Sequence, residues 1–326
     1  MAAMRRVSYV GGIGLLAVVC WLAAETYEAH AYSGTAVTQD QEPTKAYKPV
    51  APEAGAGDTK APVAENSLRF AVIGDTGTGD RAQYDVGAQM ARSRKVFPFE
   101  FVIMVGDNMY GGERPQDFLK KFQLPYKALL DEKVPFYASL GNHDDPNQRF
   151  YQLFNMNGER YYTFKKDKLG NPGVRFFALD SNYMQKEQLG WLERELKASD
   201  SPWKIAFFHH PLYSSGARHG SEMDLRLQLE PLFLKHNMSV VFAGHEHFYE
   251  RLKPQQGIYY FTEGGSAKLR VGNITKTPMT AVGFDTDYTF MLVEITGDTM
   301  HFQTLTRGGK VIDSGNFVRP MPAQTQ

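Results

Sequence analysis

The sequence predicts an α/β fold of stacked sheets flanked by helices, on three observations. Short apolar runs recur from residue 67 onward, and each stops abruptly at polar residues: LRFAVIGDTG, FVIMVGDNMY, PFYASLGNHD, KIAFFHHP and SVVFAGHEH. Helical patterns lie between them. Beyond residue 258 the pattern turns β-like, through GIYYFTEGG and YTFMLVEITGDTMHFQTLTRGG. Apolar runs rich in β-branched and aromatic residues suit strands buried on both faces, and open α/β sheets carry their chemistry at the C-terminal edge of such strands.

The chain opens with Arg5 and Arg6 before the apolar stretch YVGGIGLLAVVCWLAA, and Ala29-His30-Ala31 fits a small-x-small cleavage site. Residues 1–31 therefore read as a signal peptide or, left uncleaved, as an N-terminal membrane anchor. Residues 32–66 are rich in Ala, Pro, Thr and Gly without apolar periodicity and read as a disordered linker. The folded domain is expected over 67–318, with a tail at 319–326. Within it, one helix is expected over 81–95 and another over 115–130, interrupted at Pro125. A third, LGWLERELKAS, sets Leu189, Leu192 and Leu196 on one face and spaces Glu193 four residues before Lys197. A fourth, MDLRLQLEPLFLKH, is expected to bend or restart at Pro231. VRFFAL reads as a strand ending at Asp180, and TGDT as the turn of a late hairpin.

With 326 residues, 42% hydrophobic, the chain is long enough to bury a sizeable core, and its 36 basic residues balance 36 acidic ones. That balance argues against a bulk electrostatic partner such as nucleic acid. Cys20 is the only cysteine and lies in the leader, so the domain relies on its core rather than on disulfides.

One Asp after a strand-end Gly is usually a turn residue. Five strand ends together, however, offer Asp75, Asp107, Tyr110, Asn142, His143, His209, His210, His245 and His247, a concentration of groups that metals take. In GHEH, alternate side chains of an extended segment share a face, so His245 and His247 reach one way and Glu246 the other.

The ordered blocks GDTG, GDNMY, GNHD, HHP and GHEHFYER resemble the metallophosphoesterase superfamily and, within it, the purple acid phosphatases. In most of that superfamily the first block is Asp-x-His, whereas Gly77 stands here where the His would be. The purple subfamily fills the gap with a tyrosine, and Tyr110, three residues after Asp107, sits where that tyrosine belongs. The resemblance implies a four-layer α/β/β/α sandwich of two mixed sheets flanked by helices, with the catalytic domain over 67–318. It also implies two metal ions: one held by Asp75, Asp107, Tyr110 and His247, the other by Asp107, Asn142, His209 and His245. Anionic oxygen donors at the first suit Fe(III), and two imidazoles with an amide oxygen at the second suit divalent Fe, Zn or Mn.

The implied reaction is acid hydrolysis of small phosphate monoesters, by in-line attack of a metal-bound hydroxide. The family pattern His-x-Pro selects His209 as ligand and leaves His210 either to support a ligand or to face substrate. By the same resemblance His143 is an outer-sphere histidine and His219 lies near the substrate, and either is able to supply the leaving group with a proton or to stabilise charge on the phosphoryl group. Charged residues just past a ligand often orient it, which makes Asp144, Asp145, Glu250 and Arg251 candidates for that role. Two other readings remain open: a phosphodiesterase or nucleotide hydrolase on the same metals, and a catalytically silent metal- or phosphate-binding envelope protein. The leader implies an exported protein, periplasmic, secreted or envelope-anchored, with membrane contact only if the leader stays attached.

Overall fold

The computed structural model describes residues 63–167 and 173–319. The expected leader, nearly all of the linker and the end of the tail lie outside them. The strands are β1 (Leu68–Ile73), β2 (Phe101–Val105), β3 (Phe136–Ser139), β4 (Tyr162–Lys166), β5 (Val174–Ala178), β6 (Trp203–Phe207), β7 (Val240–Ala243), β8 (Tyr249–Leu252), β9 (Tyr259–Glu263), β10 (Thr280–Phe284), β11 (Thr289–Thr296), β12 (Thr299–Thr306) and β13 (Val311–Val318). They form two mixed sheets, ordered β13-β12-β11-β1-β2-β3 and β10-β8-β9-β7-β6-β5-β4. In the first, β1, β2 and β3 are parallel; in the second, β5, β6, β7 and β9 are. The predicted turn is the Gly297–Asp298 link between β11 and β12.

The uninterrupted apolar runs have a direct cause in this layering. Along β1, Phe70 and Val72 face the second sheet, where they meet Phe176, Phe207 and Phe242, while Ala71 and Ile73 face a helical layer with Val86, Met90 and Phe122. Both faces are dry, so neither tolerates polar alternation. The second sheet turns its outer face, with Phe177, Ala206 and Val241, to Leu192, Leu196, Leu229 and Phe233. Each such large side chain stabilises the fold by roughly 1.5–3 kcal/mol relative to exposure. The result is the four-layer sandwich.

The outer layers follow the sequence with one difference. Helix α1 (Arg81–Arg94) starts where the Asp80 side chain accepts from the Gln83 N–H. Helix α2 (Pro115–Phe118) passes into a wide π turn over Leu119–Gln123, and α3 (Lys127–Asp131) begins after the Pro125 break. Helix α4 (Lys186–Ala198) buries Leu192 and Leu196. Helix α5 (Met223–Lys235) runs through Pro231 without restarting. The proline leaves the Leu227 carbonyl without an i+4 donor, and Leu227 is 71% exposed, on a turn open to solvent. Among the described residues no helix is long and apolar enough to cross a membrane.

Candidate metal centre

The parallel strands bring the polar ends to one rim. Asp75 follows β1, Asp107 follows β2, and Asn142 and His143 follow β3; His209 and His210 follow β6, and His245 and His247 follow β7. Asp75, Asp107 and His245 hold left-handed backbone, at φ 54, 49 and 70. Asp and His tolerate that region better than most residues, yet each such position costs on the order of 1 kcal/mol. The kinks turn side chains off the strand axis into the space between the sheets. Gly106, at φ 91, allows β2 to approach β6, since a Cβ there would lie 2.5 Å from His209 Nδ1.

The groups fall into two contiguous sets. In the first, Asp75 Oδ1 accepts from the Tyr110 hydroxyl at 3.0 Å and lies 3.3 Å from His247 Nε2, which is 3.4 Å from the same hydroxyl. In the second, His209 Nε2 lies 3.0 Å from Asn142 Oδ1, 3.2 Å from His245 Nδ1 and 3.4 Å from Asp107 Oδ1. Asp107 stands between them, since ligand atoms of Asp75, Asp107 and His209 all lie within 4.8 Å of one another. His209 Nδ1 donates to the Val105 carbonyl at 3.0 Å, so its Nε2 carries a lone pair. That lone pair points at two oxygens that are themselves acceptors. A cation between them turns a repulsion into shared attraction.

Electrostatics agree. Burial, and then the charge of Asp107, raise Asp75 well above the carboxylate range. Burial and the same two carboxylates push the Tyr110 phenol up, so it ionises only if a cation displaces its proton. Burial and neighbouring imidazoles hold His209 well below its ordinary value and His245 at about 2. His247 is lowered to about 4 by burial and by Arg270. Neutral imidazoles facing two buried carboxylates are what a cation needs, because ligands must bind deprotonated. Among the described residues neither Asp75 nor Asp107 has a Lys or Arg partner.

Further carboxylates hold the loops in place. Asp144 accepts from the backbone of Asn108, Met109 and Gly141 and from the side chains of Asn108 and Gln148, tying GDNMY to GNHD. Glu246 is buried and accepts from the N–H groups of His219 and Gly220 and from the Asn273 amide. Asp145 caps the 3₁₀ turn Pro146–Phe150, Glu250 accepts from the Ser215 N–H, and Arg251 pairs with Asp313 of β13. Of these four expected orienters, Asp144 touches the loops of the centre directly.

The candidate proton donors surround the two sets. His143 is exposed, with its ring centre 4.9 Å from that of Tyr110. His219 is exposed and its ring lies 4.2 Å from that of His245. His210 offers a nitrogen within 4.8 Å of those of His209 and His245, and its Nδ1 is 2.8 Å from Ser181 Oγ. His210 and Asn142 also line a cavity of about 390 Å³ with Asp180, Ser181, Tyr183 and Glu222. The sequence reading missed Lys268 and Arg270: Lys268 Nζ lies 4.4 Å from the Tyr110 ring centre, and the Arg270 N–H donates to the His247 carbonyl at 3.0 Å. The available signal was the SAKLR segment after β9, whose parallel pairing with β7 delivers it to the same rim.

Known proteins resemble this chain. Human tartrate-resistant acid phosphatase type 5 is 25% identical over 238 residues, covering 61% of this chain and 72% of the relative. Purple acid phosphatase 4 of Arabidopsis thaliana is 26% identical over 269 residues, covering 72% and 79%. Among solved structures, purple acid phosphatase PPD1 from yellow lupin seeds superposes with a TM-score of 0.60 at 18% identity, over 79% of this chain and 55% of that one. GAP50, the anchor in the inner membrane complex of Plasmodium, gives 0.69 at 20% identity, over 79% and 90%. At those identities the structures speak to the fold, which they share. Residues 68–249, more than half of the chain and the span that carries every motif strand end, match the family described as calcineurin-like phosphoesterase, and it is to this family that the chain belongs.

Proposed function

We propose that the protein is an exported acid phosphatase of the purple type, hydrolysing small phosphate monoesters at a two-metal centre. The observation that carries it is the His209 lone pair aimed at Asp107 and Asn142, beside a second set in which the Tyr110 hydroxyl meets Asp75 and His247. The donor chemistry fits two unlike ions. Asp75, Asp107, Tyr110 and His247 would hold a hard trivalent ion such as Fe(III); Asp107, Asn142, His209 and His245 would hold divalent Fe, Zn or Mn. When bound, the ions supply positive charge for the phosphoryl oxygens and lower the pKa of water, more so for a trivalent ion, so activity extends below neutral pH.

The chain's own residues do the rest. The Val105 carbonyl fixes the His209 tautomer, and the backbone N–H of His143 donates to Asp107 Oδ1 at 3.0 Å, which orients the shared carboxylate. His143 and His219, exposed beside the two sets, are placed to pass a proton to the departing alkoxide. His210, held through Nδ1 by Ser181, faces the cavity where the ester group would lie.

Metal analysis, visible absorption and hydrolysis of p-nitrophenyl phosphate against its bis-ester test this together. Two ions per chain, a tyrosinate–iron band lost in Tyr110→Phe, and faster turnover of the monoester at pH 5 than at pH 9 are expected. A band that survives Tyr110→Phe, or a clear preference for the diester, would refute the purple or the monoester assignment respectively. N-terminal sequencing of the exported protein tests processing after residue 31.

A further inference from the structure

The cavity beside the centre holds about 390 Å³, within the range of roughly 300–1,000 Å³ that encloses a small organic molecule. Asn142 and His210 are shared between this cavity and the centre. Much of the remaining wall comes from the turn after β5, residues 180–183, and from the start of α5 at Glu222 and Leu225. This wall is fixed before any ligand arrives. Gln188 of α4, itself buried, accepts from the Asp180 N–H at 2.8 Å and donates to the carbonyls of Asp180 and Tyr183 at 2.9 and 3.1 Å. The Asn182 amide donates to the Leu140 and Gly141 carbonyls at 3.3 and 3.2 Å, which ties the turn to the GNHD loop.

The charges on this wall are not all balanced. Asp144 is surrounded by N–H donors, and Asp180 pairs with Arg160, whose guanidinium lies 4.7 Å from the Tyr183 ring centre. Glu222 has no such partner. It occupies the N-cap of α5, yet its side chain makes no capping bond, and among the described residues it pairs with no Lys or Arg. Asn182 Oδ1 is buried and likewise without a hydrogen-bond partner. Buried polar atoms in proteins nearly always find one. Leu140, Leu225 and the half-open ring of Tyr183 supply apolar surface beside these acceptors, and among the described residues no Lys or Arg lines the cavity.

We propose that the cavity takes the alcohol part of the ester, and that Glu222 and Asn182 select an alcohol ending in an ammonium group, as in a short amino-alcohol phosphate. Asn142 and His210 argue for the alcohol as occupant: they belong to the centre and to the cavity alike, so a phosphoryl group at the centre has this space as its neighbour. The selection deepens the phosphatase reading and rests on it for its use. A short carbon chain would lie against Leu140, Leu225 and Tyr183, while the ammonium N–H groups supply the donors that Asn182 Oδ1 and the Glu222 carboxylate lack. An alcohol ending in a carboxylate or a further phosphate would instead meet Glu222 as a like charge, with no lining cation to offset it. At equal chain length the preference therefore follows charge.

Calorimetry on the full-length, metal-loaded protein tests this with three phosphonates of similar length that resist hydrolysis: aminopropylphosphonate, propylphosphonate and phosphonopropanoate, metal content being measured before and after. Wild type should bind the amine about tenfold more tightly than the propyl probe, as one hydrogen-bonded charge pair predicts, and the carboxylate most weakly. The advantage of the amine should vanish in Glu222→Gln. In Glu222→Lys the carboxylate should become the tighter of the two charged probes. Equal affinity for all three in wild type, an order unchanged in both variants, or binding of none would overturn the selection. Failure of the wild type to hydrolyse phosphoethanolamine or any other phosphate ester would instead sink the phosphatase reading, leaving the affinity order to decide what the cavity holds.

Discussion

Asp107 meets three demands that conflict in the metal-free protein: left-handed backbone at φ 49, almost complete burial, and a place near the second buried carboxylate, Asp75. Removing its charge while keeping its shape should therefore stabilise the protein and disable the centre. Asn suits the same backbone region and still accepts from the His143 N–H. In Asp107→Asn the chelated protein is expected to gain on the order of 1 kcal/mol, or about 2–4 °C in Tm for a domain of this size, while the Tm increase on adding Zn or Fe largely disappears. Thermal scans of both proteins, with and without chelator, check this; a chelated variant that melts below wild type would show that the carboxylate repulsion is not the controlling term.

At the scale of elements, the same conflict is resolved by how strands end. Each motif glycine permits a close approach, and Gly106 shows it most directly, since a side chain there strains φ 91 and strikes the His209 ring. Gly106→Ala should cost roughly 2–4 kcal/mol and reduce bound metal, measured by urea unfolding and elemental analysis. Wild-type stability in that variant would mean β2 and β6 have room to separate. The strand ends were legible because burial on both faces leaves an unbroken apolar run, and the metal-type groups follow within a few residues of it. Lys268 and Arg270 were not, because their place depends on β9 pairing parallel to β7, a long-range choice that leaves no local pattern. Asp144 was legible as a neighbour of a ligand but not as the acceptor joining two loops, since its donors come from residues 108, 109, 141 and 148. Pro231 misled for a physical reason: the carbonyl it orphans is on an exposed turn, where the interruption costs little.

Over the whole molecule, the centre draws its groups from both sheets, and the sheets are joined elsewhere by polar links: Arg251 of β8 to Asp313 of β13, the Trp203 Nε1–H to the Gly297 carbonyl at 2.8 Å, and the Thr289 hydroxyl of β11 to Glu263 of β9 at 2.6 Å. The last makes stability depend on pH. Glu263 is buried, its Oε2 has no partner, and burial together with the nearby Asp75 charge raises it from 4.5 to about 8, against the Thr289 hydrogen bond. Between those values the folded state keeps a proton that the unfolded chain has released. The stabilisation is therefore complete below about pH 4.5 and is lost as pH rises toward 8, by an amount on the order of 4 kcal/mol. Glu263→Gln mimics the protonated acid at every pH. With metal removed, urea unfolding of the two proteins should coincide near pH 4 and diverge steadily above it, the variant being the more stable at pH 8. Loading the centre should shrink the gap, because cations bound at Asp75 cancel the charge that helps to raise Glu263. A gap that stays constant from pH 4 to 8 would place Glu263 as an ordinary carboxylate and leave the sheet junction without its proton.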